Sequence, residues 1–148
     1  METGDRVSGM QYWLFKSEPE TWSWAMQAAK GAAGQEWDGV RNYQARANMK
    51  AMSVGDLGFF YHSGAERAVV GVVEVCAPAH PDSTSEDPRW ECVDVRAVAP
   101  FPSPVTLEAC KETPKLAEMV LVRNSRLSVQ PVRPEEWRLV CEMGGYRG

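Results

Sequence analysis

The pattern of hydrophobic and polar positions divides this chain into short strands and short helices. A continuous apolar and aromatic stretch runs from Met10 to Phe15, which is typical of a strand buried on both faces. Alternating positions between Trp90 and Val98 indicate a half-buried strand. Two further apolar runs are separated by a Gly-containing loop, which predicts an antiparallel pair. The predicted strands comprise residues 10–15, 57–62, 68–76, 90–98 and 126–131.

Helix signals lie between and after these strands. Asn42 is placed to cap the second predicted helix, and Pro134 opens the last one. Proline-rich segments predict a surface loop at 78–88 and a break in the sheet at 101–104. Strands and helices that do not alternate predict an α+β fold, with a small curled mixed sheet or open barrel of five to six strands and helices over its ends. The predicted helices comprise residues 21–30, 43–52, 107–111 and 115–118 and a last one from 134.

Length and composition predict one domain. With 148 residues the chain can bury a self-sufficient core, which we place at residues 10–144, between a disordered leader at 1–9 and a tail at 145–148. The leader has neither the basic start nor the apolar centre of a signal peptide, and no apolar run approaches the roughly 20 residues of a membrane span. We therefore expect no membrane association, a cytoplasmic location in a bacterium or a nuclear one in a eukaryote, and favour a monomer.

Charge and motifs narrow the class of function. A net charge of −4 argues against a protein that coats nucleic acid non-specifically. The four cysteines lack any C-x-x-C pair and mostly lie in apolar patterns, so we expect core thiols, no metal site and no cofactor. The chain contains no G-x-S-x-G, P-loop or G-x-G-x-x-G motif, which removes the usual basis for a hydrolase, a kinase or a dinucleotide-binding protein.

The stretch from Trp37 to Arg46 combines an aromatic ring, a turn at Asp38-Gly39 and two cations in ten residues. With Arg41 and Asn42 at a helix N-terminus, free backbone N–H groups would favour an anion or an acceptor-rich ring. Trp37 is therefore predicted to form a pocket wall. Trp22 is compatible with either the core or the pocket wall.

Polar residues also lie at the ends of the predicted strands. A glutamate such as Glu18 suits an exocyclic amine on cytosine or adenine, although the triplet Lys16-Ser17-Glu18 alone favours a solvated turn. His62 and Ser63 do not form a catalytic pair, because adjacent strand residues point to opposite faces. Surface ion pairs are the default for each arginine, but four of them lie near aromatic stretches and are candidate phosphate contacts. These are Arg41, Arg46, Arg123 and Arg126.

The chain contains four separated motifs, Tyr12–Pro19 (YWLFKSEP), Trp37–Arg46 (WDGVRNYQAR), Phe60–Ser63 (FYHS) and Arg126–Val132 (RLSVQPV). In this order they resemble the EVE domain family, over about residues 11–143. The resemblance implies a PUA-like fold related to the YTH domains, which recognise methylated adenine in RNA with an aromatic cage. It also implies binding of a modified base, notably modified cytosine in DNA.

Carried over motif by motif, the resemblance implies a base pocket at the end of the first strand, with Trp37 as a cage wall and Arg41 and Arg126 facing phosphates. The chain departs from the family at Arg133, where a Ser or Thr usually caps the last helix. The implied ligand-binding residues are Lys16, Ser17, Glu18, Trp22, Trp37, Asn42, Tyr61, His62, Ser63, Ser128 and Gln130.

The leading hypothesis is a non-enzymatic domain that binds nucleic acid, DNA or RNA, and encloses a flipped, modified nucleobase. Two alternatives stay open. One is an enzyme acting on a modified nucleic acid or nucleotide, with Lys16, Glu18 or His62 as acid or base. The other is a small-molecule or protein-interaction module whose arginines form only surface ion pairs.

Overall fold

Within residues 10–147, six strands form one open mixed sheet in the order β2-β5-β4-β3-β1-β6. The structure is a computed structural model that describes residues 10–147, so the predicted leader at 1–9 lies outside the described residues. Strand β1 pairs in parallel with β3, and the other neighbours are antiparallel. The strands are β1 (Tyr12–Ser17), β2 (Gln35–Glu36), β3 (Leu57–His62), β4 (Ala68–Pro81), β5 (Glu91–Thr106) and β6 (Val129–Val132).

In the described part of the chain, five α-helices flank the sheet, which confirms the α+β prediction. They are α1 (Trp24–Ala29), α2 (Tyr43–Lys50), α3 (Leu107–Lys111), α4 (Val120–Arg123) and α5 (Pro134–Gly144), with single 3₁₀ turns at Gly31–Ala33 and Pro114–Leu116. None of the helices between residues 10 and 147 combines the length and apolar character that a membrane span requires.

Strand β1 lies between two core clusters, as its continuous apolar run predicts. Leu14 faces the cluster around Trp137 of α5, whose ring stacks on Phe59 with 4.0 Å between centroids. Phe15 faces the opposite cluster, which contains Trp37 and the buried residues of α2. Because both faces are covered, the end of β1 is held rigidly, and this end borders the site described below.

The long β4–β5 hairpin corrects two predictions. Strand β4 extends to Pro81 into the predicted loop, and β5 continues through the predicted break at 101–104. The sheet tolerates the prolines because the pairing jumps from Val69↔Val105 to Gly71↔Pro100. Residues 101–104 therefore fall in a bulge where no ladder hydrogen bond is needed.

Helix boundaries also differ from the predictions in places. Helix α1 begins at Trp24 because Ser23 caps it, accepting a hydrogen bond from the Met26 N–H at 3.2 Å. Helix α2 begins as predicted, with Asn42 Oδ1 accepting from the Ala45 N–H at 2.8 Å. Helix α4 was not predicted, since its four residues carry no cap signal.

Helix α5 has Arg133 rather than a Ser or Thr at its N-cap position, and a glutamate of its first turn binds this arginine. The Glu136 carboxylate is 2% exposed and accepts from the Arg133 backbone N–H at 2.9 Å and from its guanidinium at 2.8 Å. This acidic residue at the third helical position satisfies the N–H of the N-cap residue, which is the bond that a glutamate makes in a capping box. At the other end, Tyr146 stacks on Phe101, so the chain is packed at least to that residue.

Candidate functional site

A cavity of about 530 Å³ opens where β1 ends. Its lining comes from residues 16–18 at the end of β1, from Thr21 and Trp22 before α1, from residues 35–41, and from Ser128 before β6. The volume lies within the range of roughly 300–1,000 Å³ that small-ligand sites occupy. Segments distant in sequence thus form one recess at the edge of the sheet.

Backbone hydrogen bonds fix the floor of this cavity. The Lys16 N–H donates to the Ser128 carbonyl at 2.9 Å, and the Ser63 N–H donates to the Ser17 carbonyl at 2.9 Å. The Ser17 hydroxyl donates to the Trp22 carbonyl at 2.5 Å. Three chain segments are therefore tied together at the end of β1.

Trp22 forms one wall and is held by a buried amide. Its indole Nε1 donates to Gln27 Oε1 at 2.9 Å, and Gln27 Nε2 donates to the Val95 carbonyl at 3.1 Å. Gln27 is fully buried, whereas Trp22 is only half-buried. The Trp22 ring is therefore accessible from the cavity, and its hydrogen bond to the buried Gln27 fixes its orientation.

Trp37 forms the inner part of the cavity and belongs to the core. It is 6% exposed and packs edge-on against Phe15 and Phe60, with centroid distances of 5.1 Å and 5.5 Å. Its backbone N–H donates to the Val93 carbonyl at 2.8 Å. Trp37 can therefore contact a ligand only through the small part of its ring that the core leaves open.

Asp82, at the tip of the β4–β5 hairpin, holds the wall that follows Trp37. Its Oδ2 accepts from the Gly39 N–H at 2.9 Å and from Arg41 Nη1 at 3.0 Å, and its Oδ1 accepts from the Thr84 N–H at 2.8 Å. Burial by itself would raise the pKa of Asp82, but the hydrogen bonds from Thr84, Gly39 and Arg41 outweigh it and lower that pKa to about 2. The carboxylate is therefore ionised and orders residues 39–41.

Carboxylates dominate the polar lining. Glu18, Glu36 and Asp38 all border the cavity, and Glu36 Oε1 already accepts from the Ser83 hydroxyl at 2.9 Å. Burial raises the pKa of Asp38, and the charges of Asp82 and Glu36 raise it further. The cavity is consequently rich in hydrogen-bond acceptors and suits a ligand edge that carries donors.

Lys16 borders the cavity, but its ammonium group is engaged elsewhere. Nζ donates to the Ser125 carbonyl at 2.9 Å and lies 5.8 Å from the centroid of the Tyr61 ring. Burial lowers the pKa of Lys16. In the register of β1 its side chain follows Leu14 on the face opposite Phe15. Arg41 is thus the cation whose side chain belongs to the cavity wall.

Several predicted site residues do not line the cavity. Asn42 uses its Oδ1 to cap α2, as described above. Tyr61 is buried on the opposite face of the sheet, in the cluster around Leu14. Gln130 is fully buried and donates from Nε2 to the Leu127 carbonyl at 2.7 Å. The residues outside the lining are Asn42, Arg46, Tyr61, His62, Ser63, Arg123, Arg126 and Gln130.

Both ring nitrogens of His62 are engaged within the protein. Nε2 accepts from the Trp24 N–H at 3.0 Å, so the proton lies on Nδ1, which donates to Glu66 Oε1 at 2.8 Å. This arrangement positions the start of α1 behind Trp22. The geometry therefore gives His62 a structural role rather than contact with a ligand.

The predicted arginines differ in their surroundings. Arg123 forms an exposed ion pair with Glu118 at 3.1 Å. Arg126 is exposed, and among the described residues no carboxylate lies within ion-pair distance of it. Arg46 lies over the Tyr43 ring, 5.2 Å from its centroid.

Sequence reasoning missed part of the lining and its support. The missed lining residues are Thr21, Gln35, Glu36, Asp38, Gly39 and Val40. Most of them flank Trp37, so extending the predicted wall by a few residues on each side would have found them. Asp82 carried no comparable signal, because it lies in a segment that the sequence predicts to be a polar surface loop.

Glu36, Asp82 and Cys92 come together behind the cavity. Their ligand atoms lie within 4.8 Å of one another, which is close enough for a metal site. However, burial and the nearby carboxylates raise the pKa of Cys92 to about 12. Its sulfur lies 3.8 Å from Glu36 Oε1 and donates weakly to it, so the thiol is protonated in the absence of a bound cation.

A larger recess, of about 650 Å³, lies at the opposite end of β1. Its aromatic side chains are already satisfied within the fold. Tyr12 stacks on Trp137 with 4.5 Å between centroids, and the Trp13 indole donates to Asp56 Oδ2 at 3.0 Å. We therefore regard the cavity at the end of β1 as the candidate site.

An open mixed sheet with a tryptophan-walled cavity at its strand ends defines an α+β domain of the PUA-like class. The chain belongs to the EVE domain family, whose model matches residues 11–143. This confirms the resemblance found in the sequence.

Relatives and solved structures agree with this assignment. Mouse thymocyte nuclear protein 1 is 34% identical over 89% of this chain and 73% of its own length. A protein from Agrobacterium tumefaciens has a crystal structure with a TM-score of 0.91 and 61% identity, covering 92% of this chain and 94% of that chain. Human thymocyte nuclear protein 1, solved in complex with DNA containing 5-methylcytosine, has a TM-score of 0.86 and 31% identity, covering 93% of this chain and 99% of that chain.

The relation to YTH domains is seen in the fold alone. The YTH domain of Zygosaccharomyces rouxii MRB1, solved with N6-methyladenosine RNA, has a TM-score of 0.55 and 14% identity, covering 95% of this chain and 90% of that chain.

Proposed function

We propose that this chain is a non-enzymatic nucleic-acid-binding domain that holds a flipped, modified cytosine of DNA in the cavity at the end of β1. The observation that carries the proposal is the fixed Trp22 wall of a cavity lined by carboxylates, in a chain related to a human protein solved with 5-methylcytosine DNA.

Stacking supplies the first part of the binding energy. Flipping a base out of a duplex costs a few kcal/mol. Base–aromatic stacking contributes about 1–3 kcal/mol per base. The half-buried Trp22 ring is the principal stacking surface, and Trp37 provides apolar contact deeper in the cavity.

The carboxylates supply recognition of the base edge. Cytosine presents an amine donor at N4, and carboxylates accept hydrogen bonds from it. Glu18 and Glu36 are the acceptors we assign to this amine, while Ser17 and Ser128 complete the polar lining. Because stacking does not distinguish one base from another, these edge contacts determine which base is retained.

Positive groups around the opening contact the phosphates on either side of the flipped nucleotide. Arg41 borders the cavity, and Arg126 lies two residues before Ser128, which also borders it. Arg46 and Arg123 lie further out. Asn42, Tyr61, His62, Ser63 and Gln130 support the shape of the site through the contacts described above.

The test compares 12-nucleotide strands that carry one cytosine, 5-methylcytosine or 5-hydroxymethylcytosine, measured by fluorescence anisotropy. Wild-type protein is expected to prefer a modified base, and Trp22→Ala to weaken that binding at least fivefold. Trp22→Phe retains a ring and is expected to keep most of the affinity. Met26→Ala, an exposed position on α1, is the matched control. Equal affinity for all strands, unchanged by Trp22→Ala, would refute the proposal.

An enzyme acting on the same nucleotides would produce a different result. Nucleosides recovered after incubation with the protein are analysed by mass spectrometry, with Glu18→Gln as the comparison. The proposal expects the modified nucleoside to be recovered unchanged. A new product that Glu18→Gln abolishes would instead establish catalysis.

A further inference from the structure

A second surface of aromatic and arginine side chains lies beside the cavity. It consists of Tyr43 at the start of α2, Arg41 and Arg46 on either side of it, and Arg89 and Trp90 from the loop before β5. We call these five residues the Tyr43 platform. None of the functions proposed above uses Tyr43, Arg89 or Trp90.

Ring–ring, cation–π and hydrogen-bond contacts connect the five residues of the platform to one another. The rings of Tyr43 and Trp90 lie 5.1 Å apart at an interplanar angle of 30°. The Arg41 guanidinium lies 5.7 Å from the Trp90 centroid. Arg89 Nη1 donates to the Tyr43 hydroxyl at 2.8 Å, and Arg46 Nη1 donates to the Arg89 carbonyl at 2.8 Å. The surface is therefore ordered before any ligand arrives.

Exposure of the Tyr43 ring requires an explanation. It is 55% exposed and is the only large exposed aromatic side chain among residues 10–147. Elsewhere in this part of the chain, aromatic rings are buried or half-buried. Proteins that bind single-stranded nucleic acid stack its bases on exposed aromatic rings of this kind, which are flanked by guanidinium groups.

The platform also carries an excess of positive charge. Arg41 pairs with Asp82, whose side chain is 1% exposed, and Arg89 pairs with Asp87. Arg46 has no carboxylate within ion-pair distance among the described residues. Three guanidinium groups therefore face two carboxylates, of which only Asp87 is accessible. This charge complements a phosphate backbone.

Arg41 belongs both to the cavity wall and to the platform, so the two surfaces are continuous. We propose that the platform binds the strand beside the flipped base, with the adjacent base stacked on Tyr43 and its phosphates held by Arg46 and Arg89. The inference rests on the proposed function, since it takes the flipped nucleotide to occupy the cavity.

The test separates platform binding from cavity binding by changing the nucleotides next to the modified one. A 12-nucleotide strand with one 5-methylcytosine is compared with the same strand carrying abasic neighbours on both sides, and with free 5-methyl-2′-deoxycytidine followed by NMR titration. Tyr43→Ala is expected to weaken binding of the intact strand at least fivefold. It is expected to leave binding of the abasic-flanked strand and of the nucleoside unchanged.

Conservative and control variants define the mechanism. Tyr43→Phe keeps the ring and is expected to bind like wild type. Arg89→Gln is expected to reduce the dependence of log affinity on log salt by about one unit. Arg138→Gln, at an exposed position of α5, is the matched control. Thermal unfolding of every variant confirms that the fold is retained.

Two results would overturn the inference. One is that Tyr43→Ala binds the intact strand as tightly as Arg138→Gln does. The other is that Tyr43→Ala loses as much affinity for the abasic-flanked strand as for the intact strand. The proposed function fails in a different way, through absence of nucleoside binding and of any effect of Trp22→Ala.

Discussion

Replacing Asp82 with Asn is the sharpest test of how the cavity wall is held. The carboxylate is 2% exposed and receives hydrogen bonds from Gly39, Arg41 and Thr84. The amide of Asn has the same shape but only one oxygen. Its NH₂ group would therefore point towards N–H donors that one of the two carboxylate oxygens of Asp82 now accepts from. We therefore expect Asp82→Asn to loosen residues 39–41 and to lower the free energy of unfolding.

The expected magnitude follows from the pKa of Asp82, which is lowered from 3.8 to about 2 in the folded protein. At about 1.36 kcal/mol per pKa unit, the ionised carboxylate contributes about 2 kcal/mol at neutral pH. Because the folded-state pKa is depressed, this contribution is fully present above about pH 4 and is lost as the pH falls through 2. At pH 3 roughly half of it remains.

Urea unfolding at pH 7 and pH 3 measures this dependence. Asp82→Asn is expected to cost about 2 kcal/mol at pH 7 and about 1 kcal/mol at pH 3. Asp87→Asn is the control, since that exposed side chain pairs with Arg89 and is expected to contribute less than about 1 kcal/mol. A cost for Asp82→Asn that is equal at both pH values, or no larger than that of Asp87→Asn, would refute this account.

Three further predictions concern packing, the hairpin and the cavity. A Cβ at Gly71 would lie 2.5 Å from the Trp24 ring, so Gly71→Ala is expected to cost about 1–3 kcal/mol, measured by thermal unfolding; an unchanged melting temperature would contradict this. The hydrogen bond to Asp94 raises the pKa of His80, so its stabilisation is present below about pH 6.5 and is lost as pH rises through the raised value. His80→Gln should therefore cost more at pH 5.5 than at pH 9, and the reverse order in urea unfolding would exclude this contribution. The anionic base 5-carboxylcytosine should be repelled by the carboxylates of the cavity and bind at least tenfold more weakly than 5-methylcytosine in anisotropy measurements. Asp38→Asn removes one of these carboxylates and should reduce the difference in affinity between the two bases.

Much of the fold could be predicted because local signals agreed with tertiary packing. The apolar run of β1, the cap at Asn42 and the antiparallel β3–β4 pair all appear as expected. The prediction that residues 101–104 break the sheet was wrong, since a bulge places them where no ladder bond is required. That bulge depends on how β4 and β5 pair, which local sequence does not specify.

The candidate site was only partly predictable for a similar reason. Seven predicted residues border the cavity: Lys16, Ser17, Glu18, Trp22, Trp37, Arg41 and Ser128. All of them except Trp22 belong to motifs that lie at strand ends. Tyr61 and Gln130 belong to equally polar or aromatic motifs but face the core. Strand alternation, applied from Phe15 and Phe60, would have placed the side chain of Tyr61 on the opposite face.

Trp37 shows why stability and recognition cannot be separated everywhere in this site. Its ring is 6% exposed and packs against Phe15 and Phe60, so Trp37→Ala is expected to cost about 3–5 kcal/mol. That cost is comparable with the total stability of many domains, about 5–15 kcal/mol. A loss of binding in that variant would therefore reflect partial unfolding as well as a missing contact. Trp22 avoids the ambiguity, because its ring is half-buried and is oriented by a hydrogen bond to Gln27 rather than by the core.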